Sequence, residues 1–316
     1  MNFDRRQFLG GLGGLVAVSA LPARADDPKV FPSRGRFERL ALAYQHIKVG
    51  ASKPFSILHI SDTHFTAAYE DEAIFKTGRA AERTRTFGGR QEEAFRDSLD
   101  WAKKNADYVL HTGDLIDFQS RANFDLVKRY YGEAMFGSVG NHEFYTYLPD
   151  EDSSTRTELF KARSWPLLKA AYPIDARFSS KVVNGVNFVS IDDVFGMVQP
   201  DQVERFAAEV KKGLPIILCM HVPFFSDLIW RAHEKFWAGN GKRYDGALSD
   251  PHGDYACQRR HGPTADFIAY LKSEKLLKGI LAGHLHVTVQ DRFSPTAMQY
   301  VIGGNFMFHG EEVLFT

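Results

Sequence analysis

The chain has 316 residues, of which 39 are basic and 39 acidic, so its formal net charge is zero. That balance gives no support for general nucleic-acid binding, which wants a basic surface. Apolar residues make up 44% and aromatic residues 13%, ample for the core of one large α/β domain over residues 26–316.

Residues 1–25 read as a targeting segment outside the fold. Arg5-Arg6 precedes Gln7-Phe8-Leu9, an apolar stretch with four glycines runs from Phe8 to Leu21, and Ala23-Arg24-Ala25 forms a small-residue cleavage site. The paired arginines resemble a twin-arginine export signal, which implies passage through the twin-arginine translocase and a periplasmic or otherwise exported location. The stretch is shorter than the about 20 residues that span a bilayer. No later segment is apolar enough to cross one, so no transmembrane anchor is expected after cleavage. Loss of Arg5, Arg6, Arg24 and Asp4 would leave a net charge of −2.

The elements then alternate. Phe55–Ile60 reads as a strand leading into Asp62-Thr63-His64. Gln91–Asn105 has the period of an amphipathic helix, and Tyr108–Thr112 is a strand leading into Gly113-Asp114. A helix near Arg121–Glu133 precedes the strand Met135–Val139, which leads into Gly140-Asn141-His142-Glu143. The β-α-β-α-β order predicts a largely parallel sheet, with chemistry past the carboxyl ends of its strands. Phe178–Val183 and Val186–Ile191 flank the hairpin signal Asn184-Gly185. A helix over Gln199–Lys212 precedes the strand Pro215–Met220, which leads into His221. A helix near Pro263–Glu274 precedes the strand Gly279–Ala282, which leads into Gly283-His284-Leu285-His286. The remaining residues read as successive strands with turns at Ser294-Pro295 and Gly303-Gly304.

Two segments, Thr66–Gly89 and Phe224–Gly262, read as irregular insertions, either functional or decorative. The first carries Arg79, Arg83 and Arg85. The second offers Phe224, Phe225, Trp230, Trp237, Tyr244 and Tyr255, with Arg231, Lys242, Arg243, Arg259 and Arg260, and is expected to wall a substrate pocket. His233, His252 and His261 of that segment are candidates for touching substrate. His59 and His111, inside strand runs, are expected in the core or behind the site. Cys219 and Cys257 are either a pair or buried free thiols.

The five motifs supply oxygen and nitrogen donors for two metal ions, with no cysteine among them. A carboxylate can bridge two cations, and imidazoles with an asparagine carbonyl complete the shells without added charge. Such a mixed set suits Mn, Fe or Zn better than Ca or soft copper. Asp62 with His64, and His284 with His286, are two apart, so each pair can emerge from one strand end.

On these motifs the chain resembles the calcineurin-like metallophosphoesterases across roughly residues 55–290. The resemblance implies an αββα fold, a two-sheet β-sandwich flanked by helices. It also implies hydrolysis of phosphoric monoesters or diesters by a metal-bridging hydroxide. By the same resemblance Asp62, His64 and His286 hold one of two divalent or trivalent transition-metal ions. Asn141, His221 and His284 hold the other, and Asp114 bridges them. His142 serves as general acid and Asp117 orients it. Asp117 stands where purple acid phosphatases carry a tyrosine ligand, and Val139 stands where serine/threonine phosphatases carry a phosphate-gripping arginine. The aromatic and basic mixture of Phe224–Gly262 suits a phosphorylated small molecule, such as a nucleotide, or a lipid head group, and the near-neutral charge does not support a nucleic-acid polymer. The alternative is an inactive, metal-stabilised envelope binding protein of the same fold.

Overall fold

A computed structural model describes residues 39–132, 134–147, 151, 157–239 and 257–316. The expected export signal, and Lys242, Arg243, Tyr244, His252 and Tyr255, lie outside the described residues. Among the described residues, no helix is long and apolar enough to cross a membrane.

Eleven strands form two sheets among the described residues. The first has the order β1 (Ala41–Ile47), β11 (His309–Phe315), β2 (Phe55–Ile60), β3 (Tyr108–Thr112), β4 (Met135–Ser138). The second runs β5 (Phe178–Val183), β6 (Val186–Ile191), β7 (Ile216–Cys219), β8 (Leu277–Ala282), β10 (Met298–Val301), β9 (Val289–Arg292). Strands β2, β3 and β4 are mutually parallel, as are β6, β7 and β8. The carboxyl ends of each trio therefore leave their sheet on the same side.

The central strands are apolar on both faces because both faces are covered. In β2, Phe55 and Ile57 join Phe188, Ile217, Leu281 and Phe315 in a core between the sheets. Leu58 and Ile60 point the other way, into a second core. That core also contains Phe95 and Trp101 of α2 (Gln91–Asn105) and Val127 of α3 (Arg121–Tyr130). Leu168 and Ala171 of α5 (Trp165–Ala171) join it, and the short α4 (Glu158–Ala162) precedes α5. On the far side, Leu218 and Ile280 meet Phe206 of α6 (Pro200–Val210), Ile229 of α7 (Asp227–Gly239) and Phe267 of α8 (Gly262–Ser273). The result is the expected αββα sandwich. Each fully buried Leu, Ile or Phe contributes roughly 1.5–3 kcal/mol.

Two expectations need correction. Thr66–Gly89 is not irregular: it contains the helix α1 (Ile74–Thr86). None of the residues of α1 is buried, so its sequence carries no apolar stripe to announce it. Phe224–Gly262 likewise contains α7, whose Ile229, Trp230, His233 and Trp237 recur at helical spacing. Cys219 and Cys257 are both buried free thiols.

Candidate metal centre

All five motifs follow carboxyl ends of the two parallel trios, and they meet. Asp62 N donates to Gly113 O (2.9 Å), His64 N to Asp114 O (2.9 Å) and Gly283 N to His221 O (3.1 Å). The backbone is strained at the chemistry. Asp62, His64, Asp114, His284 and His286 all have positive φ, between 54° and 71°. Such conformations cost of order 1–3 kcal/mol each and persist where surrounding structure over-determines them.

Three trios of donor groups converge: Asp62, His64 and His286; Asp114, His221 and His284; and His64, Asp114 and His142. Within each trio one donor atom per residue lies within 4.8 Å of the others. The hydrogen bonds fix which atoms face inward. His221 Nδ1 lies 2.7 Å from Thr112 O, a carbonyl, so Nδ1 carries the proton and donates. His221 Nε2 then faces Asn141 Oδ1 at 3.1 Å and Asp114 Oδ2 at 3.3 Å. A bare nitrogen among oxygen acceptors requires a proton or a metal cation. His284 Nδ1 is 3.2 Å from the same nitrogen. In the other trio His64 Nε2 and His286 Nε2 approach to 3.2 Å. Asp62 Oδ2 accepts from His284 N (2.9 Å), whereas Asp62 Oδ1 is buried without a hydrogen-bond partner, 3.4 Å from His286 Nε2. An orphaned buried carboxylate oxygen among imidazoles fits a cation site.

Electrostatics agree. Burial by itself would lower His221, but Asp114, Asp62 and Asp193 overcome it and push it up to about 10. Burial would raise Asp114, yet His221 and His142 hold it well below the usual carboxylate range. The pocket is built to stabilise positive charge.

His142 is partly exposed, with 17% of its side chain accessible. Its Nδ1 lies 2.8 Å from Asp117 O and 3.1 Å from Asp117 Oδ1. Burial lowers its pKa, but Asp114 and Asp117 raise it to about 9. Asp117 Oδ1 is also 3.0 Å from His64 Nδ1. Asp117 thus faces two histidines, where pairing with His142 alone is expected from the sequence.

Residues 55–288 match the model of the calcineurin-like phosphoesterase family. The chain belongs to that family. It is accordingly a hydrolase of phosphoric ester bonds. Among solved structures, this phosphoesterase is similar to a dimetal phosphatase from Danio rerio, at 15% identity and a TM-score of 0.44, covering 80% of this chain and 88% of that one. It is also similar to a putative 5′-nucleotidase from Staphylococcus aureus, at 13% identity and a TM-score of 0.41, covering 80% of this chain and 49% of that one. A third is a phosphopantetheinyl hydrolase from Mycobacterium tuberculosis, at 13% identity and a TM-score of 0.36, covering 83% and 92%. A comparison with curated proteins finds no match.

Several residues behind the phosphoesterase site escape sequence reasoning. Glu143 is wholly buried and accepts from the backbone N–H groups of Asp114, Leu115, Ile116 and Gly140. Asp193, two residues beyond β6, accepts from His221 N (2.9 Å) and Val222 N (3.0 Å), fixing the His221 loop. Arg83 of α1 grips Asp117 through two nitrogens. Only the acidic residue inside Gly140-Asn141-His142-Glu143 and the arginines of the first insertion gave any signal. His59 meets Glu311 (3.2 Å) and Thr112 (2.9 Å), while His111 meets Thr63 (2.9 Å), so both sit behind the site as expected.

The second insertion reaches the site through α7. The Trp237 ring lies 6.0 Å from the His286 ring, and Trp237 Nε1 donates to His233 Nδ1 (3.1 Å). Phe224 and Phe225 instead line a separate cavity of about 400 Å³ with Arg260, Lys272 and Phe293. His261 is exposed at the start of α8.

Gly113 leaves the site no room for a side chain. Its φ is +96°, and a Cβ there would lie 2.6 Å from both His221 Nδ1 and Gly140 N. Gly113→Ala should lose about 1–3 kcal/mol from overpacking alone, read as a lower denaturant midpoint, and should displace His221. An unchanged midpoint with unchanged activity would show that the loop has slack.

Proposed function

We propose that this protein is a binuclear metal-dependent phosphoesterase of the cell envelope. Asp62, His64 and His286 would hold one ion; Asn141, His221 and His284 would hold the second, with Asp114 between them. The observation that carries the reading is His221 Nε2, a nitrogen that must hold a proton or a metal cation, facing Asn141 Oδ1 and Asp114 Oδ2. Mn, Fe or Zn suits this donor set. When bound, such ions supply Lewis acidity toward a phosphoryl group.

The chain's own residues then do the following. Asp117 holds the Nδ1 proton of His142, so Nε2 is the nitrogen left to exchange a proton with substrate. Protonated there, His142 is placed to give its Nε2 proton to the oxygen of the departing alcohol. Asp117 also holds His64 Nδ1, which presents His64 Nε2 to the donor trio. Asp193 and Glu143 keep the His221 and Asp114 loops in register. Trp237, beside His286, gives the site an apolar neighbour suited to the organic part of a phosphorylated small molecule or lipid head group.

Elemental analysis of protein purified without chelator should give close to two transition-metal equivalents. Asp114→Asn should lower that content and activity together. Full activity with one equivalent or none would sink the binuclear assignment. Rates on p-nitrophenyl phosphate against bis-p-nitrophenyl phosphate separate monoesterase from diesterase. The envelope location rests on Arg5-Arg6 and Ala23-Arg24-Ala25. Replacing both arginines by lysine should trap the protein in the cytoplasm, as read by cell fractionation.

A further inference from the structure

We propose that Arg83 is a positioning residue for His142, and that α1 is docked at this site to deliver it; this deepens the phosphoester reading and rests on it. No residue within helix α1 is fully buried, so apolar burial alone does not explain why it sits where it does. Its contacts with other segments include several at the site. Arg79 lies over the Tyr147 ring at 4.4 Å, and Lys76 Nζ donates to Gln119 O (2.8 Å). At its end, the Phe87 ring stacks on His64, 4.3 Å between centroids and 14° between planes.

Arg83 is the centre of this docking. Its Nε donates to Asp117 Oδ2 (2.7 Å) and its Nη2 to Asp117 Oδ1 (2.9 Å). Its guanidinium also lies over the Phe87 ring at 4.9 Å. A two-point fork fixes the plane of a carboxylate as well as its position, which a lysine ammonium cannot do. With that plane fixed, Asp117 Oδ1 stays aimed at both His142 Nδ1 (3.1 Å) and His64 Nδ1 (3.0 Å). Without the fork the carboxylate is free to rotate toward either histidine. The Asp117 carboxylate is fully buried whereas the Arg83 side chain is 22% exposed, so Arg83 acts from the rim through Asp117. Arg83 comes from a segment outside the five motifs.

The test compares the full-length wild type with Arg83→Lys and Arg83→Gln on aryl and alkyl phosphoesters of graded leaving-group basicity. Each rate is paired with elemental analysis. A positioning role predicts that kcat falls roughly 10- to 100-fold on the most basic leaving groups, part of the general-acid contribution. It should fall less than about threefold on the most acidic ones, with KM and metal content unchanged. Lysine should not rescue. In zinc-loaded, ¹⁵N-histidine-labelled protein the His142 Nδ1 proton signal should shift or broaden in both variants. A KM rise with kcat intact would make Arg83 a substrate contact and overturn the proposal. So would an equal loss on every leaving group accompanied by lost metal, or wild-type behaviour throughout. If the wild type hydrolyses none of the esters, the phosphoester reading fails. The nuclear magnetic resonance signal still decides, independently, whether Arg83 holds the Asp117–His142 contact.

Discussion

Replacing His142 by alanine should lower kcat by about 10²–10⁴-fold, the usual contribution of a general acid, while both metal equivalents remain. The separation follows from geometry. His142 Nδ1 is engaged by Asp117 and the side chain is partly exposed, so Nε2 is the nitrogen left to move a proton. Its backbone N–H, which alanine keeps, donates to Asp114 Oδ1 (2.8 Å), so the bridging candidate should stay in place. The loss should shrink as the leaving group becomes more acidic, because less proton transfer is needed at its oxygen. Steady-state rates on a phenyl-to-dinitrophenyl series, with elemental analysis of the same samples, check both halves. Full activity of the variant on an alkyl ester would remove His142 from the reaction. Metal loss equal to that of Asp114→Asn would instead make it a ligand.

Glu143→Gln should destabilise the fold by about 2–4 kcal/mol, because it turns acceptors into donors where only donors face them. Oε1 accepts from Leu115 N (2.8 Å), Ile116 N (3.2 Å) and Tyr172 Oη (2.9 Å). Oε2 accepts from Asp114 N (3.0 Å) and Gly140 N (2.7 Å). A glutamine retains one oxygen and sets an NH₂ group against at least two buried backbone donors. The Asp114 and Gly140 loops would then separate, so activity should fall with stability. Tyr172→Phe is the control: it removes one of five donors and leaves the carboxylate satisfied, at a cost of about 0.5–1.5 kcal/mol. Urea unfolding of both variants gives the comparison. If the glutamine costs no more than the phenylalanine, Glu143 does not hold the loops together.

The candidate centre was legible because its chemistry is local. A strand end followed by Asp62-Thr63-His64, or by Gly283-His284-Leu285-His286, declares both residue type and position. The two-residue spacing survives folding whatever the rest of the chain does. Glu143 was visible as a letter in its motif but not as a role, since its five partners come from three separate segments. Arg83 was one arginine among three in a segment read as irregular. After Ile74 and Phe75 helix α1 has only alanines as apolar residues and none of its residues is fully buried, so the apolar period by which helices are recognised was missing. In α7 the period was present, but the turn-formers of the surrounding segment hid it.

Beyond the αββα class, which rests on the motifs' resemblance to a known family, the sequence by itself determined the alternation of strands and helices and the inventory of donors. Those properties depend on period two, period 3.6 and side-chain chemistry, all readable within a few residues. The tertiary structure alone decided that β1 lies parallel to β11, which pairs residues 41–47 with 309–315 across almost the whole chain. It alone fixed the tautomers, through contacts such as His221 Nδ1 to Thr112 O, 109 positions apart. It alone placed Arg83 on Asp117. Such contacts arise where loops from both sheets meet, and their free energy depends on distances between groups that no local pattern encodes.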